Sequence, residues 1–162
     1  MQHTVELIET NKSAICRDIL CALPEWFGLA DAIEDYARNV AALPMFGAAT
    51  DGAIVGFLAL KVHTPSAAEA YVLGIKKPWQ RQGIGRQLFA AAEAWCRERA
   101  IRFLTVKTLA ASHPDPFYAR TRAFYDSIGL LPLEVFPTFW RAANPCLQMV
   151  KVLDWPQAPG AS

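Results

Sequence analysis

Residues 80–85, Gln80-Arg81-Gln82-Gly83-Ile84-Gly85, lie between an apolar strand-like run and a long amphipathic stretch. That placement restricts the fold more than any other feature of the chain. Two glycines at a strand-to-helix turn let the backbone approach a ligand closely, because neither carries a Cβ. The helix that follows aims its free N–H groups and positive dipole end at the same place, which makes an anion site suited to phosphate. Two familiar phosphate loops do not fit. A nucleotide P-loop requires lysine and a hydroxyl after its last glycine, whereas Gly85 is followed by Arg86-Gln87. A dinucleotide loop requires a third glycine where Leu88 stands.

The periodicity around the loop predicts alternating layers. Thr4–Glu9 reads as an opening strand, and apolar residues at helical spacing predict helices over Lys12–Trp26 and Asp31–Leu43. Met45–Thr50 and Ala53–Val62 read as strands joined by an Asp51-Gly52 hairpin turn. A turn at Thr64-Pro65-Ser66 leads to a strand over Glu69–Ile75, then the glycine loop, then a helix over Gly83–Arg99. Arg102–Thr108 follows as a strand and Phe117–Ile128 as a helix stopped by Gly129, with last strands at Leu131–Phe136 and Cys146–Leu153. The order β-α-α-β-β-β-α-β-α-β-β implies a mixed α/β sheet with helices on both faces. At 162 residues one domain over 1–155 is expected, with 156–162 a flexible Pro/Gly/Ala/Ser-rich tail.

Lysine and arginine exceed aspartate and glutamate by one (16 against 15), which argues against a dedicated nucleic-acid binder. Cys16, Cys21, Cys96 and Cys146 show no Cys-x-x-Cys pairing, and His3, His63 and His113 are too dispersed for a metal motif. Reduced thiols, no secretory leader and no apolar run of spanning length lead to an expectation of a soluble cytoplasmic protein with no membrane association.

The spacing Gln80-x-x-Gly83-x-Gly85, in its strand–loop–helix setting, resembles the acyl-CoA pyrophosphate loop of the GCN5-related N-acetyltransferases (GNAT family). A second mark agrees: Phe124-Tyr125-x-x-x-Gly129-Leu130 is similar to that family's Phe/Leu-Tyr-x-x-x-Gly-Phe signature. The resemblance is specific from about Glu69 to Gly129. It implies a central, mostly antiparallel sheet splayed between its fourth and fifth strands, with acetyl-CoA as co-substrate in the opening and no metal.

Carried over residue by residue, the resemblance gives Leu73, Gly74 and Ile75 to the pantetheine arm, Gly74 also reading as a bulge or close approach. Gln80, Arg81, Gln82, Gly83, Ile84, Gly85 and Arg86 would hold the pyrophosphate. Tyr125 would protonate the departing thiolate, a role suited to a phenol that is neutral at pH 7. Glu69 stands eleven residues before Gln80, where one branch of the family keeps the base that takes a proton from the ammonium of the acceptor. Glu134 is a weaker candidate base, and Tyr118, one heptad before Tyr125, reads as packing or pocket wall. Direct attack needs no covalent nucleophile; an acyl-cysteine route through Cys146 is disfavoured because cysteines are often buried as small hydrophobes.

The aromatics Trp26, Phe27, Phe139 and Trp140 are the candidate acceptor pocket, set in the loops after the first helix and between the last strands; Arg141 beside them would meet a substrate carboxylate or water. The expected activity is acetyl transfer from acetyl-CoA to the primary amine of a small molecule or protein, by direct transfer in a ternary complex; a homodimer is compatible with it. The competing reading is a non-catalytic acyl-CoA-binding or sensing module on the same fold.

Overall fold

The computed structural model describes residues 2–153; the tail expected at 156–162 lies outside them. Seven strands, β1 (Thr4–Ile8), β2 (Met45–Thr50), β3 (Ala53–Thr64), β4 (Ala67–Ile75), β5 (Phe103–Leu109), β6 (Leu131–Arg141) and β7 (Asn144–Val152), form one sheet in the order β1-β2-β3-β4-β5-β7-β6. Every neighbouring pair is antiparallel except β4 with β5. The helices are α1 (Lys12–Cys21), α2 (Ala30–Val40), α3 (Ile84–Glu98) and α4 (Pro116–Ser127).

The sheet separates two cores. On one face α1 and α2 bury Ile19, Leu20, Ala37 and Val40 against Met45, Phe57 and Ala59. On the other, Ile84, Leu88, Phe89 and Ala92 of α3 pack with Tyr125 of α4 against Leu58, Leu60, Leu104 and Val106. Burying large apolar side chains contributes about 1.5–3 kcal/mol each relative to exposure. This fixes which strand faces look toward which helices.

Turn chemistry sets the register. Asp51 and Gly52 both take positive φ (51° and 80°), the geometry of a primed two-residue hairpin turn. Pro65-Ser66 closes the next hairpin, whose Thr64 pairs with Ala67. Two bulges interrupt the β3–β4 ladder, because Val62 pairs with Ala68 and Thr64 with Ala67, while Ala59 pairs with Val72 and Leu60 with Ala70. His63 on β3 and Tyr71 on β4 are therefore the extra residues.

Three expectations need correction. The first helix ends at Cys21 rather than Trp26. Pro24 disfavours helical backbone at Leu23, and residues 22–27 instead close as turns in which the Leu23 carbonyl accepts from the Trp26 and Phe27 N–H groups. The last hairpin is longer than expected, with strand continuing through Phe136–Arg141 and resuming at Asn144. Pro137 is tolerated because β6 is the sheet edge, where a missing N–H breaks no necessary bond. Phe139 and Trp140 thus stand on a strand and not on a loop.

Candidate active site

The parallel pairing of β4 with β5 lasts three residues, Ala67 with Phe103, Ala68 with Leu104 and Glu69 with Thr105. Beyond that point β4 continues to Ile75 beside β3 and β5 to Leu109 beside β7, with no pairing between them. The strands open into a V whose vertex is Glu69.

Alternation of the ladder identifies the groups that face the opening. The Lys76 N–H bonds the Val55 carbonyl of β3 at 2.9 Å. Counting back in twos, Gly74 and Val72 also turn their backbone groups to β3, so Leu73 and Ile75 turn theirs into the V. One of these acceptors is already used, since Gln80 Nε2 donates to the Ile75 carbonyl at 2.8 Å and ties the loop to the end of the strand. What remains on this side of the V includes the N–H and C=O of Leu73 and the N–H of Ile75.

Gly74 is packed closely on the α1 side of the sheet. A Cβ there would lie 3.0 Å from Leu23 Cδ1 and 3.1 Å from Ile19 Cγ2, so the missing side chain makes room for α1 and the turn after it.

A single 3-10 turn, Lys77–Trp79, leads into the glycine loop; Trp79 is partly buried against the α3-side core. Arg81 and Gly83 both have left-handed φ, 61° and 83°. Only Arg81 is strained by this, since a residue with a Cβ rarely adopts that conformation. Gly83 is the N-cap of α3 and no side chain caps the helix. The first N–H groups of α3 therefore remain free, beside exposed Arg81, Gln82 and Arg86.

Side chains brace this loop. Gln82 Nε2 donates to the Pro78 carbonyl at 3.0 Å, and Arg86 reaches α4, donating to Ser127 Oγ at 3.1 Å. The two glycines have different tasks. A Cβ on Gly83 would meet nothing within 4 Å, whereas one on Gly85 would lie 2.8 Å from Phe124 Cζ. Gly83 supplies the backbone conformation, and buried Gly85, with Ile84 beside it, lets α3 and α4 pack closely.

Asp115 starts α4 by accepting from the N–H groups of Phe117 (2.9 Å) and Tyr118 (3.2 Å). Gly129, at φ 95°, ends it, with the Gly129 N–H on the Asp126 carbonyl and the Leu130 N–H on the Tyr125 carbonyl. Tyr125 is thereby fixed one turn from the helix end, 5% exposed, with the Phe89 and Phe124 rings about it at 6.0 and 5.9 Å. Burial pushes its phenol well above the ordinary tyrosine range, and the nearby Tyr118 and Tyr36 add to the shift. Its hydroxyl stays protonated and makes no hydrogen bond to a described residue.

Glu69 is buried, with 5% of its side chain exposed. Lys107 Nζ on β5 lies 2.9 Å from its Oε1, and His63 Nε2 lies 2.7 Å from the same oxygen. Lys107 also stands over the Phe139 ring, 5.4 Å from its centroid. Sequence reasoning finds neither partner: Lys107 carries no motif, and His63 reads as an isolated histidine. Only the pairing of β3, β4 and β5 brings them to Glu69.

The four candidate pocket aromatics fall into two groups. Trp26 is tied to α4: its Nε1 donates to Thr121 Oγ1 at 3.1 Å, its carbonyl accepts from Tyr118 Oη at 2.8 Å, and its ring meets Phe117 edge-on. Phe27 begins a run of edge-on rings through Tyr36 to Tyr71 at the β4 bulge. Phe139 and Trp140, 57% and 41% exposed, stand together on the far hairpin. Burial holds the Tyr36 and Tyr118 phenols up at about 12.

Glu134 lies on the exposed edge strand, opposite Gln148, which is in turn opposite Lys107 of β5. Cys146 is buried, and burial raises its thiol, which disfavours the thiolate that an acyl-cysteine route would need. Among the described residues no cluster of three His, Cys, Asp or Glu could hold a metal, and no helix is long and apolar enough to cross a membrane.

The solved structures that resemble this one share its fold. The ribosomal-protein-S18-alanine N-acetyltransferase from Escherichia coli superposes with a TM-score of 0.78 at 17% identity, covering 99% of both chains. An aminoglycoside 6'-N-acetyltransferase complexed with coenzyme A gives 0.76 at 16%, covering 96% of this chain and 99% of the other. A GNAT family acetyltransferase from Elizabethkingia anophelis with acetyl-CoA bound gives 0.72 at 16%, covering 93% and 98%. No curated protein matches the sequence. Residues 13–129 match the sequence profile of the Acetyltransferase (GNAT) family, and the chain belongs to that family.

Proposed function

We propose that this acetyltransferase moves an acetyl group from acetyl-CoA to a primary amine by direct transfer in a ternary complex. The observation that carries the reading is the V: β4 and β5 part at a buried carboxylate, and a strained loop with free N–H groups lies beyond the end of β4. Two of the similar structures hold coenzyme A or acetyl-CoA, and two are named for an aminoglycoside or a ribosomal-protein alanine as acceptor.

In this reading the N–H groups from Gln82 to Arg86 bind the pyrophosphate, with Arg81 and Arg86 adding charge. Leu73 and Ile75 pair with the pantetheine amides and so direct the thioester toward the vertex. Glu69 removes a proton from the acceptor's ammonium. The amine then attacks the thioester carbonyl, forming the C–N bond as the C–S bond breaks. The second amine proton balances the departing thiolate, toward which Tyr125 donates. Positioning supplies much of the rate in such a transfer. Trp26, Phe27, Phe139 and Trp140 form the walls along which the acceptor approaches.

The test is a panel of small amines, aminoglycosides and peptides with free N-termini, incubated with acetyl-CoA and followed by mass spectrometry. Acetylated amine and free CoA in equal amounts support the reading. Binding of acetyl-CoA with no transfer to any member would leave a binding module instead.

A further inference from the structure

We infer that an open cavity beside the Glu69 vertex selects amines that also carry an α-amino-acid head, Arg141 taking the carboxylate of the head and Asp31 its ammonium; the inference rests on the reading of acetyl transfer at that vertex. The cavity, of about 310 Å³, lies between the start of α2 and the end of β6 and is lined by Leu29, Ala30, Asp31, Ala32, Asp35 and Arg141. Both of its walls lead to Glu69. Arg141 closely follows Phe139 on β6, and the Phe139 ring lies 5.4 Å from Lys107 Nζ, which holds Glu69 at 2.9 Å. On the other wall Asp35 precedes Tyr36, whose ring meets Tyr71 of β4 and whose phenol feels the charge of Glu69.

The charged side chains of the cavity are Asp31, Asp35 and Arg141. Arg38 pairs with Asp35 at 3.0 Å and balances it. The side chains of Asp31 and Arg141 make no hydrogen bond or ion pair with each other or with another described residue. Opposite charges that line one cavity without pairing suit a ligand carrying both signs. A lone anion would meet Arg141 and be repelled by Asp31, and a lone cation would meet the reverse. An α-amino-acid head carries ammonium and carboxylate on one carbon, and a guanidinium holds a carboxylate by two parallel hydrogen bonds.

Local structure accounts for the placement of both groups. The β6–β7 register slips between Phe136 and Arg141 and resumes with Arg141 opposite Asn144, an irregularity of the kind that re-aims side chains. Asp31 stands in the first turn of α2, where a carboxylate is favoured by the helix dipole. Leu29, 52% exposed, gives the cavity an apolar wall for the methylenes between the head and the reacting amine. That second amine, at the far end of the ligand, is the one brought to Glu69. Asp31 and Arg141 are both exposed, so water screens each contact and holds it to the lower end for a charged hydrogen bond.

The experiment measures kcat/KM of the full chain with acetyl-CoA for lysine and ornithine. Each is compared with its diamine, which lacks the carboxylate, and with its ω-amino acid, which lacks the α-ammonium. At least one of the two amino acids should exceed both of its counterparts by roughly tenfold or more, about the least that a charge-assisted hydrogen bond supplies. Fragment masses should place the acetyl group on the side-chain nitrogen. In Arg141→Gln the advantage over the diamine should disappear, and Arg141→Lys, which keeps the charge, should retain part of it. In Asp31→Asn the advantage over the ω-amino acid should disappear. Equal kcat/KM across the set, acetylation at the α-nitrogen, or variants that lower every acceptor in the same proportion overturn the inference. Transfer to other amines of the panel but to neither amino acid also overturns it, and leaves the acetyltransferase reading intact. A chain that binds acetyl-CoA but transfers to no amine overturns both.

Discussion

The two halves of the V are built differently. The half proposed to hold the donor, residues 73–86 with Tyr125, is a strand end, a loop and two helix termini, and it presents backbone N–H groups. The half proposed for the acceptor joins Glu69, Lys107 and His63 from three strands, with Phe139 of the far hairpin beside Lys107. Backbone recognition of a constant ligand needs only a local conformation. Recognition of a variable acceptor needs side chains, and those are assembled by tertiary pairing.

Gly83→Asp should separate the halves most strongly. It places a carboxylate at the free end of α3 and a side chain at φ 83°, so acetyl-CoA affinity should fall by roughly a hundredfold or more. Unchanged binding by calorimetry would remove the phosphate role of the loop. Glu69→Gln probes the other half: kcat/KM should drop about a hundredfold, the lower end for a lost general base, with acetyl-CoA affinity nearly constant. A variant that loses donor binding instead would show that the halves are not separable.

Tyr125→Phe tests their junction. Turnover should fall roughly tenfold with donor affinity unchanged. Because burial raises the Tyr125 phenol, its neutral form persists as pH rises past the ordinary tyrosine range. Wild-type activity should then show no loss from Tyr125 ionisation below about pH 10. The smallest effect expected is on stability: Gly85→Ala brings a Cβ to 2.8 Å from Phe124 and should cost about 1–3 kcal/mol in denaturant unfolding. Stability equal to wild type would show that Phe124 can yield.

The same division explains what can be read from the chain. The strand–loop–helix around residues 80–85, the Asp51-Gly52 turn and the Gly129 stop are local signals, and each appears where its residues predict. The separate tasks of Gly83 and Gly85 are not legible, because only the α3–α4 packing reveals Phe124 against Gly85. The packing task of Gly74 is hidden for the same reason, the space beside it being filled by Leu23 and Ile19 from far earlier in the chain. Lys107 lies 38 residues from Glu69, beyond any local pattern. The extent of β6 is hidden because a proline reads as a break until the strand is known to be an edge.

Backbone hydrogen exchange in the full chain, with and without acetyl-CoA, reads the donor half most directly. Added protection is expected at the N–H groups of Leu73 and Ile75 and from Gln82 to Arg86, with little change along the β6–β7 hairpin. Protection elsewhere, with these amides unchanged while acetyl-CoA is bound, would mean that the V and its loop do not hold the donor.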